Sequence, residues 1–221
     1  MSAEGAVRNG GEARFHLIET LRFEPETGLM RRDHHFARLS RSAAALGFTC
    51  PLSEIEAALH ERLRGVTEPK RVRVGLEADG KFDLQVKPFA PLAAGTIWRL
   101  RIANTRLSST DELLRYKTSR RELYEVARAE FTPEEADEVL LLNENGEICE
   151  GGICNIFVEM EGGTLATPPL KCGLLRGVLR ETLLLDGKAV EQIIYPDDLK
   201  TGGRIFVGNS LRGLIEARLV G

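Results

Sequence analysis

The sequence predicts an α+β fold, and three observations lead to this prediction. The chain has 221 residues, of which 43% are hydrophobic and 29% are charged, a composition typical of globular proteins. Segments with strand patterns follow one another in runs, and helical patterns are grouped between these runs. They do not alternate regularly, as the strands and helices of a doubly wound parallel sheet would. The length suits one domain or two small ones.

The N-terminal part predicts a strand followed by two helices. The strand covers FHLIETLRF, residues 15–23. Asp33 is expected to cap the first helix, whose apolar residues recur at helical spacing until Gly47 ends it. The second helix is predicted from Ser53 to Arg64, because Glu56 follows Ser53 three residues later in the pattern of a capping box.

A hairpin and a further strand come next. RVRVGLE and FDLQVKP have strand patterns and enclose the turn ADGK, and another strand is predicted from Thr96 to Ala103. Residues 104–116 are polar and poorly periodic, so we expect them to connect two domains. The prediction is a small N-terminal domain over residues 1–103 and a larger C-terminal domain over residues 117–221.

The C-terminal part predicts an amphipathic helix, a series of strands and a second helix. The first helix is expected over residues 120–131, and consecutive strands over residues 138–167 with turns at NENG and EGG. A helix is predicted from about Val178 to Leu185. The chain then ends with a strand, a short helical turn at PDDLK and the strands RIFVGN and GLIEARLV.

Composition excludes several classes of protein. The 30 basic and 33 acidic side chains give a net charge of −3, which argues against binding nucleic acid by bulk charge. No run of about 18 apolar residues is present, so we expect no membrane span, and the first residues lack the apolar region of a secretory signal. The four cysteines form no C-x-x-C pair and match no zinc spacing. We therefore expect a cytoplasmic protein with reduced thiols and no bound metal.

Lys117 is the candidate for chemistry that needs an amine. Only seven of the 30 basic residues are lysines, and Lys117 stands just before a predicted helix. Burial, or the neighbouring Arg120 and Arg121, would lower the pKa of its amine and favour a Schiff base. A lone lysine is more often solvated, so a surface position is the alternative.

Three further features suit a site for a phosphorylated cofactor. Glu150 lies among small and apolar residues, and a buried carboxylate there needs a cationic partner such as a protonated heterocyclic nitrogen. In GLLRGVLRETLL, residues 173–184, glycines precede a helix whose first amides can bind phosphate. Arg38 lies beside the apolar stripe of its helix and can clamp a phosphate. Each feature alone is more often a solvated side chain or a simple helix start, but with Lys117 they form the set that a pyridoxal phosphate site needs.

Six segments carry a resemblance to a known family. They keep that family's order and approximate spacing over about residues 15–220: FHLIETLRF, DHHFARLSRSAAALGF, YKTSRRELYEVARAEF, ADEVLLLNENGEICEGGICNIFVE, ATPPLKCGLLRGVLRE and IFVGNSLRGLIEARLV. The chain resembles the class IV aminotransferases, which are pyridoxal phosphate enzymes, and most closely their aminodeoxychorismate lyase branch. The resemblance implies a two-domain fold type IV architecture with pyridoxal 5′-phosphate in the cleft between the domains. It also implies a small-molecule amino substrate and a homodimer.

The resemblance further implies roles for individual residues. Lys117 looks like the Schiff-base lysine, and Glu150 looks like the acid at the pyridine nitrogen of the cofactor. The other matching positions resemble groups that bind the cofactor phosphate: Arg38, the amides of Val178 and Leu179, and the hydroxyl of Ser210.

The chain departs from the family pattern in several places, among them the N-terminal segment, Leu175-Arg176-Gly177 in place of Leu-Pro-Gly, Leu179 in place of a threonine, and Arg120 with Arg121. Fourteen residues precede Phe15, where relatives usually carry a longer segment, and the stretch up to Gly11 is glycine-rich and expected to fray. Arg120 and Arg121 stand where branched-chain aminotransferases typically have Asn and Tyr. The sequence therefore shows no tyrosine for the ring hydroxyl of the cofactor.

Three features favour a lyase, which would release pyruvate from 4-amino-4-deoxychorismate and leave 4-aminobenzoate for folate biosynthesis. Thr20 lies in a lyase-like segment, Glu19 to Arg22, and can relay a proton. The segment NSLRG resembles lyases more than branched-chain enzymes. Arginines near the expected site suit a substrate with two carboxylates, namely Arg115, Arg120, Arg121 and Arg212. The alternatives are a branched-chain or D-amino-acid aminotransferase, and a catalytically degenerate relative that serves as a binding module.

Overall fold

The computed structural model describes residues 15–201 and 203–221, and these form two β-sheets with helices packed on them. The α+β prediction is confirmed. The glycine-rich stretch that is expected to fray lies outside the described residues. The strands are β1 (Leu17–Glu24), β2 (Gly28–Leu29), β3 (Lys70–Leu76), β4 (Phe82–Pro88), β5 (Trp98–Leu107), β6 (Glu138–Asn143), β7 (Ile148–Gly151), β8 (Asn155–Glu159), β9 (Leu165–Thr167), β10 (Ala189–Glu191), β11 (Ile205–Asn209) and β12 (Gly213–Leu219). The α-helices are α1 (Arg32–Leu46), α2 (Leu52–Leu63), α3 (Glu122–Ala129), α4 (Val178–Leu185) and α5 (Asp198–Thr201).

The N-terminal half forms an antiparallel sheet in the order β2-β1-β3-β4. The predicted hairpin is its β3-β4 pair. Residues of β1 alternate between buried and half-buried, because one face of the strand packs against the helices. Leu17 and Leu21 of β1 lie in one core with Phe36 and Leu39 of α1. The apolar stripe in the sequence thus marks the helix face that covers this sheet.

Both helices of this half begin about two residues before the predicted positions. Asp33 lies inside the first turn of α1, and the cap position is Arg31, whose left-handed backbone (φ 53°) turns the chain into the helix early. Gly47 ends α1 with a φ of 71°, as the sequence predicts. Before α2 the cap position is Pro51 rather than Ser53, because the fixed φ of proline suits the start of a helix. The two predicted N-caps are therefore wrong.

The C-terminal half forms an eight-stranded mixed sheet in the order β10-β9-β8-β11-β12-β5-β6-β7. Strands β6 to β9 and helix α4 lie where the sequence predicts them. Leu100, Leu140, Ile156 and Val207 come from four different strands and are completely buried in one cluster. This shared core holds strands together that lie far apart in the sequence.

Strand β5 belongs to this second sheet. It continues to Leu107 and pairs in parallel with β12 and β6. The sequence analysis assigns residues 96–103 to the N-terminal domain and residues 104–116 to a connection. Sheet pairing instead joins this strand to the C-terminal half, because partners far along the chain leave no local signal. The division into domains at residues 103 and 116 stays a prediction.

Hydrogen bonds connect the N-terminal half to the segment that contains Lys117 and to the loop before α4. The Ile18 amide of β1 donates a hydrogen bond to the Lys117 carbonyl at 2.8 Å. From α1, Arg38 Nη1 donates to the Arg176 carbonyl, just before α4, at 3.1 Å. Residues of both halves therefore meet around these contacts.

Three features of residues 15–201 and 203–221 bear on the classes of protein considered above. No helix in this part of the chain is long and apolar enough to cross a membrane. The same residues contain no cluster of His, Cys, Asp or Glu side chains that could hold a metal ion. All four cysteines are free thiols.

Candidate active site

A cavity of about 630 Å³ is lined by residues of both halves of the chain. Leu179 does not line it, and its side chain packs in a buried cluster with Phe157 and Leu183. Arg115 also lies outside the lining, with 46% of its side chain exposed. The other predicted site residues all line this cavity: Thr20, Arg38, Lys117, Arg120, Arg121, Glu150, Val178, Ser210 and Arg212.

Lys117 lies in the short segment between β5 and α3, and its carbonyl is bound to β1. Among the described residues its amine has no hydrogen bond or ion pair. Burial, together with the charges of Arg38 and Arg121, lowers the pKa of the amine from 10.5 to about 8. A fraction of the molecules then carries a neutral amine near neutral pH, as a nucleophile or general base requires.

Glu150 is buried near the end of β7. Its carboxylate accepts hydrogen bonds from the Tyr124 hydroxyl at 2.7 Å, the Leu175 amide at 3.1 Å and the Asn155 side chain at 3.2 Å. Burial nevertheless raises the pKa of Glu150 to about 7, because these bonds and the nearby cations offset only part of its effect. A cationic group beside Glu150 would compensate the remaining cost of burying this carboxylate.

Tyr124 places a phenol in the cavity that the sequence analysis did not single out. It lies on α3, and the guanidinium of Arg121 stacks over its ring at 4.7 Å. Burial and the Glu150 carboxylate raise the pKa of the phenol, so it remains a hydrogen-bond donor at neutral pH. The residues directly after Lys117 contain no tyrosine. It is the first turn of α3 that brings Tyr124 to the cavity, and the amphipathic pattern of α3 is the signal that could have found it.

The start of α4 also faces the cavity. Gly177 is the cap residue and no side chain caps the helix, so the amides of its first turn, beginning at Val178, have no side-chain acceptor. A Cβ atom at Gly177 would lie 1.9 Å from Asn155 Oδ1, so a larger residue does not fit without displacing Asn155. Asn155 in turn donates to the Leu175 carbonyl at 3.1 Å. The uncapped amides lie at the positive end of the helix and are suited to bind an anion.

Arg38 is held in place by Glu19. Arg38 Nε and Nη2 donate to the two carboxylate oxygens at 2.8 and 2.6 Å, and both side chains are buried. Burial alone would raise the pKa of Glu19, but the charge of Arg38 and a hydrogen bond from His35 lower it from 4.5 to about 2. Glu19 shares the buried face of β1 with Leu17 and Leu21. This alternation is the sequence signal that could have marked Glu19 as an inward-facing carboxylate.

His35 connects Glu19 to Ser210. Its Nδ1 lies 2.6 Å from Glu19 Oε2, and its Nε2 lies 2.8 Å from Ser210 Oγ in the turn between β11 and β12. Burial lowers the pKa of His35, and the hydrogen bond to Glu19 offsets part of this effect. The sequence analysis singled out Ser210 and Arg38 but not His35, although His35 lies one helical turn before Arg38 on the same face of α1.

Arginines give this cavity an excess of positive charge. Arg121 donates to the Gly152 carbonyl. The guanidinium groups of Arg71, Arg120 and Arg212 form no ion pair with any residue in the described part of the chain. Arg71 and Arg73 lie on β3 and were not foreseen from the sequence. The arginines that line the cavity besides Arg38 are Arg71, Arg73, Arg120, Arg121 and Arg212.

Comparison with known proteins identifies the family. Residues 16–220 match the family described as amino-transferase class IV. The chain belongs to the class IV aminotransferases. The predicted family is therefore confirmed, and the match extends over nearly the whole chain.

Three similar proteins carry different assignments within the family. A structure of a Mesorhizobium loti protein assigned as an amino-acid aminotransferase is 53% identical, with a TM-score of 0.91, and the match covers 93% of this chain and 100% of that one. A Schizosaccharomyces pombe protein assigned as an aminodeoxychorismate lyase is 30% identical over 213 residues, which cover 93% of this chain and 90% of the relative. A structure of a Thermotoga maritima protein assigned as a branched-chain amino acid aminotransferase is 26% identical, with a TM-score of 0.82, and the match covers 93% and 77% of the two chains.

This class IV aminotransferase has the predicted fold type IV architecture, and it is an enzyme with pyridoxal phosphate as its cofactor. The cavity fits that cofactor in two respects. Neither the Lys117 amine nor the buried Glu150 carboxylate forms an ion pair with any described residue. The uncapped start of α4 and the Arg38 guanidinium lie at the same cavity and suit a phosphate group.

Proposed function

We propose that this enzyme is an aminodeoxychorismate lyase, which converts 4-amino-4-deoxychorismate to 4-aminobenzoate and pyruvate. The observation that carries the proposal is the group of cavity arginines without an ionic partner in the described part of the chain, Arg71, Arg120 and Arg212. The lyase substrate carries two carboxylates, and arginine binds carboxylates in bidentate geometry. A branched-chain amino acid has one carboxylate and an apolar side chain, so it needs fewer cations. The assignment of the Schizosaccharomyces pombe relative supports the proposal.

The cofactor-binding roles are proposed from the resemblance to the family, and the geometry of the cavity supports them. Lys117 would hold the cofactor through its aldehyde carbon, and Glu150 would face its pyridine nitrogen, whose positive charge would pair with the buried carboxylate. Bound pyridoxal phosphate supplies an electron sink for the negative charge that develops beside the substrate amine. The groups proposed to bind its phosphate are Arg38, the amides of Val178 and Leu179, and the hydroxyl of Ser210.

Lys117 is proposed to move the protons of the reaction. With the substrate amine bound to the cofactor, the Lys117 amine would be free to remove the proton from the carbon that bears the substrate amine. The same side chain returns a proton to the enolpyruvyl group as pyruvate leaves, and aromatisation of the ring drives this step. A pKa of about 8 allows Lys117 to accept and to release protons near neutral pH. Thr20, which lines the cavity from β1, is proposed to relay a proton.

An assay of the holoenzyme with 4-amino-4-deoxychorismate tests the lyase proposal. We expect 4-aminobenzoate as product, and a loss of about ten- to a hundredfold in kcat/KM for Arg212→Gln, because a hydrogen bond to a charged group contributes about 1.5 to 3 kcal/mol. Arg62→Gln removes an exposed arginine of α2 and is the matched control, which should keep the activity. Absence of 4-aminobenzoate, together with formation of pyridoxamine phosphate from leucine or D-alanine, would overturn the lyase proposal.

An aminotransferase is the second candidate. The 53% identity to the Mesorhizobium loti protein favours it, because that protein is assigned as an amino-acid aminotransferase. Apolar residues also line the cavity and could contact a branched side chain, among them Ile18, Phe89 and Leu211. A keto acid product from leucine or D-alanine, measured in the same preparation, distinguishes this activity from the lyase reaction.

A catalytically degenerate relative is the third candidate. The unpaired amine of Lys117, with its lowered pKa, and the buried Glu150 in the same cavity argue against this alternative. Purified protein with cofactor should absorb visible light as a lysine-bound chromophore. The absorbance should vanish in Lys117→Ala, and a spectrum without this band in the unmodified protein would favour the degenerate relative.

The proposed assembly is a homodimer, and the proposed location is the cytoplasm. Leu123 and Ile153 line the cavity with 45% and 57% of their surface exposed, and Val126 on the same helix as Leu123 is 57% exposed. A second copy placed on these residues would cover apolar surface at the mouth of the cavity. Light scattering that gives the mass of one chain would refute the dimer.

The cytoplasm is proposed as the location because free cysteines suit a reducing compartment.

A further inference from the structure

A buried chain of polar groups connects β1 to the turn between β11 and β12. It leads from Glu19 through His35 to Ser210, with hydrogen bonds of 2.6 Å at His35 Nδ1 and 2.8 Å at His35 Nε2. The exposed fractions of these residues are 1%, 1% and 7%. His35 and Ser210 also line the cavity. What these hydrogen-bonded groups can bind depends on which of their atoms carry protons.

The Glu19 carboxylate sets the direction of the hydrogen bonds. With a pKa of about 2 it is ionised and can only accept, so His35 Nδ1 carries a proton and donates it. In a neutral imidazole the other nitrogen, Nε2, has no proton and accepts from the Ser210 hydroxyl. Ser210 then directs its single proton toward His35 and presents only lone pairs to the cavity.

A phosphate dianion beside Ser210 requires the opposite arrangement, because it offers only acceptor oxygens. Ser210 can donate to the phosphate, and His35 Nε2 can stay paired, only if Nε2 also carries a proton. We propose that His35 takes up a proton when the cofactor phosphate binds, so that Nε2 donates to Ser210 and Ser210 donates to the phosphate. This inference rests on the proposed binding of the phosphate beside Ser210, and not on which reaction the enzyme catalyses.

The charges around His35 allow it to take up this proton when a dianion binds. Arg38 and Lys117 disfavour it in the cofactor-free protein, and the negative charge of Glu19 is already paired with Arg38. A bound dianion would add the negative charge that this cluster lacks. The charged groups that face His35 and Ser210 are Glu19 on β1, Arg38 on α1, Lys117 before α3, and Arg31 at the start of α1, which donates to the Ser210 carbonyl at 3.3 Å.

The proposal makes phosphate binding depend on pH. Burial holds the pKa of His35 below 6.5 in the cofactor-free protein, and the bound phosphate would raise it. Below this window His35 is charged in both states, and its contribution to the affinity for the phosphate dianion is greatest. As pH rises through the window the affinity falls, by about tenfold for each unit by which the pKa increases on binding.

Nitrogen NMR of the imidazole groups tests the proposal directly. The chain has four histidines, so the signals of His35 can be assigned from their loss in His35→Gln. We expect pyridoxamine 5′-phosphate to raise the pKa of His35 by about one unit or more, a tenfold change in proton affinity. Pyridoxamine, which lacks the phosphate, should leave it unchanged. The exposed His60 on α2 is an internal control and should not respond to either compound.

Two outcomes would overturn the inference: an unchanged pKa of His35 with pyridoxamine 5′-phosphate bound, or an equal increase with pyridoxamine. Ser210→Ala distinguishes the hydrogen-bond relay from plain charge attraction. The relay predicts a smaller increase in this variant, and an undiminished increase would refute the part assigned to Ser210. Because these measurements do not involve turnover, a failed lyase assay would leave them valid.

Discussion

At the level of single residues, Lys117 and Glu150 are ionisable side chains whose surroundings favour their neutral forms. The pKa of Lys117 is lowered to about 8 and that of Glu150 is raised to about 7, in both cases chiefly by burial. Such shifts are common where a protein prepares groups for chemistry. The same burial lowers the free energy of unfolding until a ligand pairs with these residues.

Lys117→Met should stabilise the cofactor-free protein at pH 7. The folded protein has a lower lysine pKa than the unfolded chain, so the penalty is fully present below pH 8 and disappears as pH rises toward 10.5. We expect a gain of about 1 to 3 kcal/mol in the free energy of unfolding at pH 7 and little gain near pH 10.5. Urea denaturation at both pH values measures this. The exposed Lys87→Met is the control, and an equal gain there would contradict the explanation.

Tyr124→Phe should raise the pKa of Glu150 above its value of about 7, because burial raises that pKa and the phenol hydrogen bond lowers it. Less of the carboxylate would be ionised at pH 7, and cofactor affinity should fall about tenfold, which corresponds to about 1.4 kcal/mol. The difference from the unmodified protein should shrink as pH rises, because Glu150 ionises in both. Titration of the apoprotein with cofactor at several pH values measures this, and a loss that does not change with pH would contradict it.

The cavity residues that the sequence analysis singled out differ from the others in where their signal lies. Lys117, Arg38 and Ser210 were singled out because each stands in a short segment typical of the family. Tyr124 and Glu19 were missed because their roles depend on contacts between elements. The alternation along β1 marks Glu19 as inward-facing, but only the packing of α1 on β1 shows that Arg38 is its partner.

At the level of elements, the loop before α4 links two ends of the candidate site. The Leu175 amide and carbonyl bind Glu150 and Asn155, and two residues later Gly177 opens the helix whose amides suit a phosphate. Asn155 on β8 fits against Gly177 because no side chain intervenes. The loop therefore couples the position of Glu150 to the start of α4.

Gly177→Ala should disturb this loop. Its Cβ would lie 1.9 Å from Asn155 Oδ1, so Asn155 must move and lose its bonds to Glu150 and Leu175. We expect a loss of about 1 to 3 kcal/mol in stability, typical of overpacking, together with weaker cofactor binding. Thermal unfolding measures the first effect. In an Asn155→Ala background the same substitution should cost less, and equal costs in the two backgrounds would contradict the steric explanation.

Elements with strong local patterns were predicted correctly, but the residues at which they begin and end were not always predicted. Helix α4 begins and ends at Val178 and Leu185 as predicted. The start of α1 was missed because the left-handed backbone of Arg31 is rare for a residue other than glycine. Strand β5 was cut short because polar residues such as Asn104 interrupt its pattern, although the strand continues in the sheet.

At the level of the whole molecule, the cavity exists because two sheets are held against each other. Ile18 of the first sheet binds the Lys117 carbonyl, and Arg38 binds the loop before α4. A ligand in this cavity contacts both halves, so binding should resist their separation.

Saturating pyridoxal phosphate should therefore raise the stability of the apoprotein. Binding to the folded state alone gives about 2.7 kcal/mol when the free ligand is 100 times its Kd. The midpoint of thermal unfolding should increase with cofactor concentration, and much less in Lys117→Ala. A midpoint independent of cofactor concentration would contradict binding between the two halves.

The family and the α+β class could be predicted from the amino-acid sequence, and Lys117 and Glu150 could be singled out as candidates, because these depend on local periodicity and on short segments read along the chain. Which groups meet depends on the tertiary structure: Glu19 with Arg38, His35 with Ser210, Tyr124 with Glu150, and β5 with β12 and β6. Burial, and with it the direction of each pKa shift, also depends on these contacts. The physical reason is that desolvation and pairing arise between segments far apart in the chain, where no local pattern can record them.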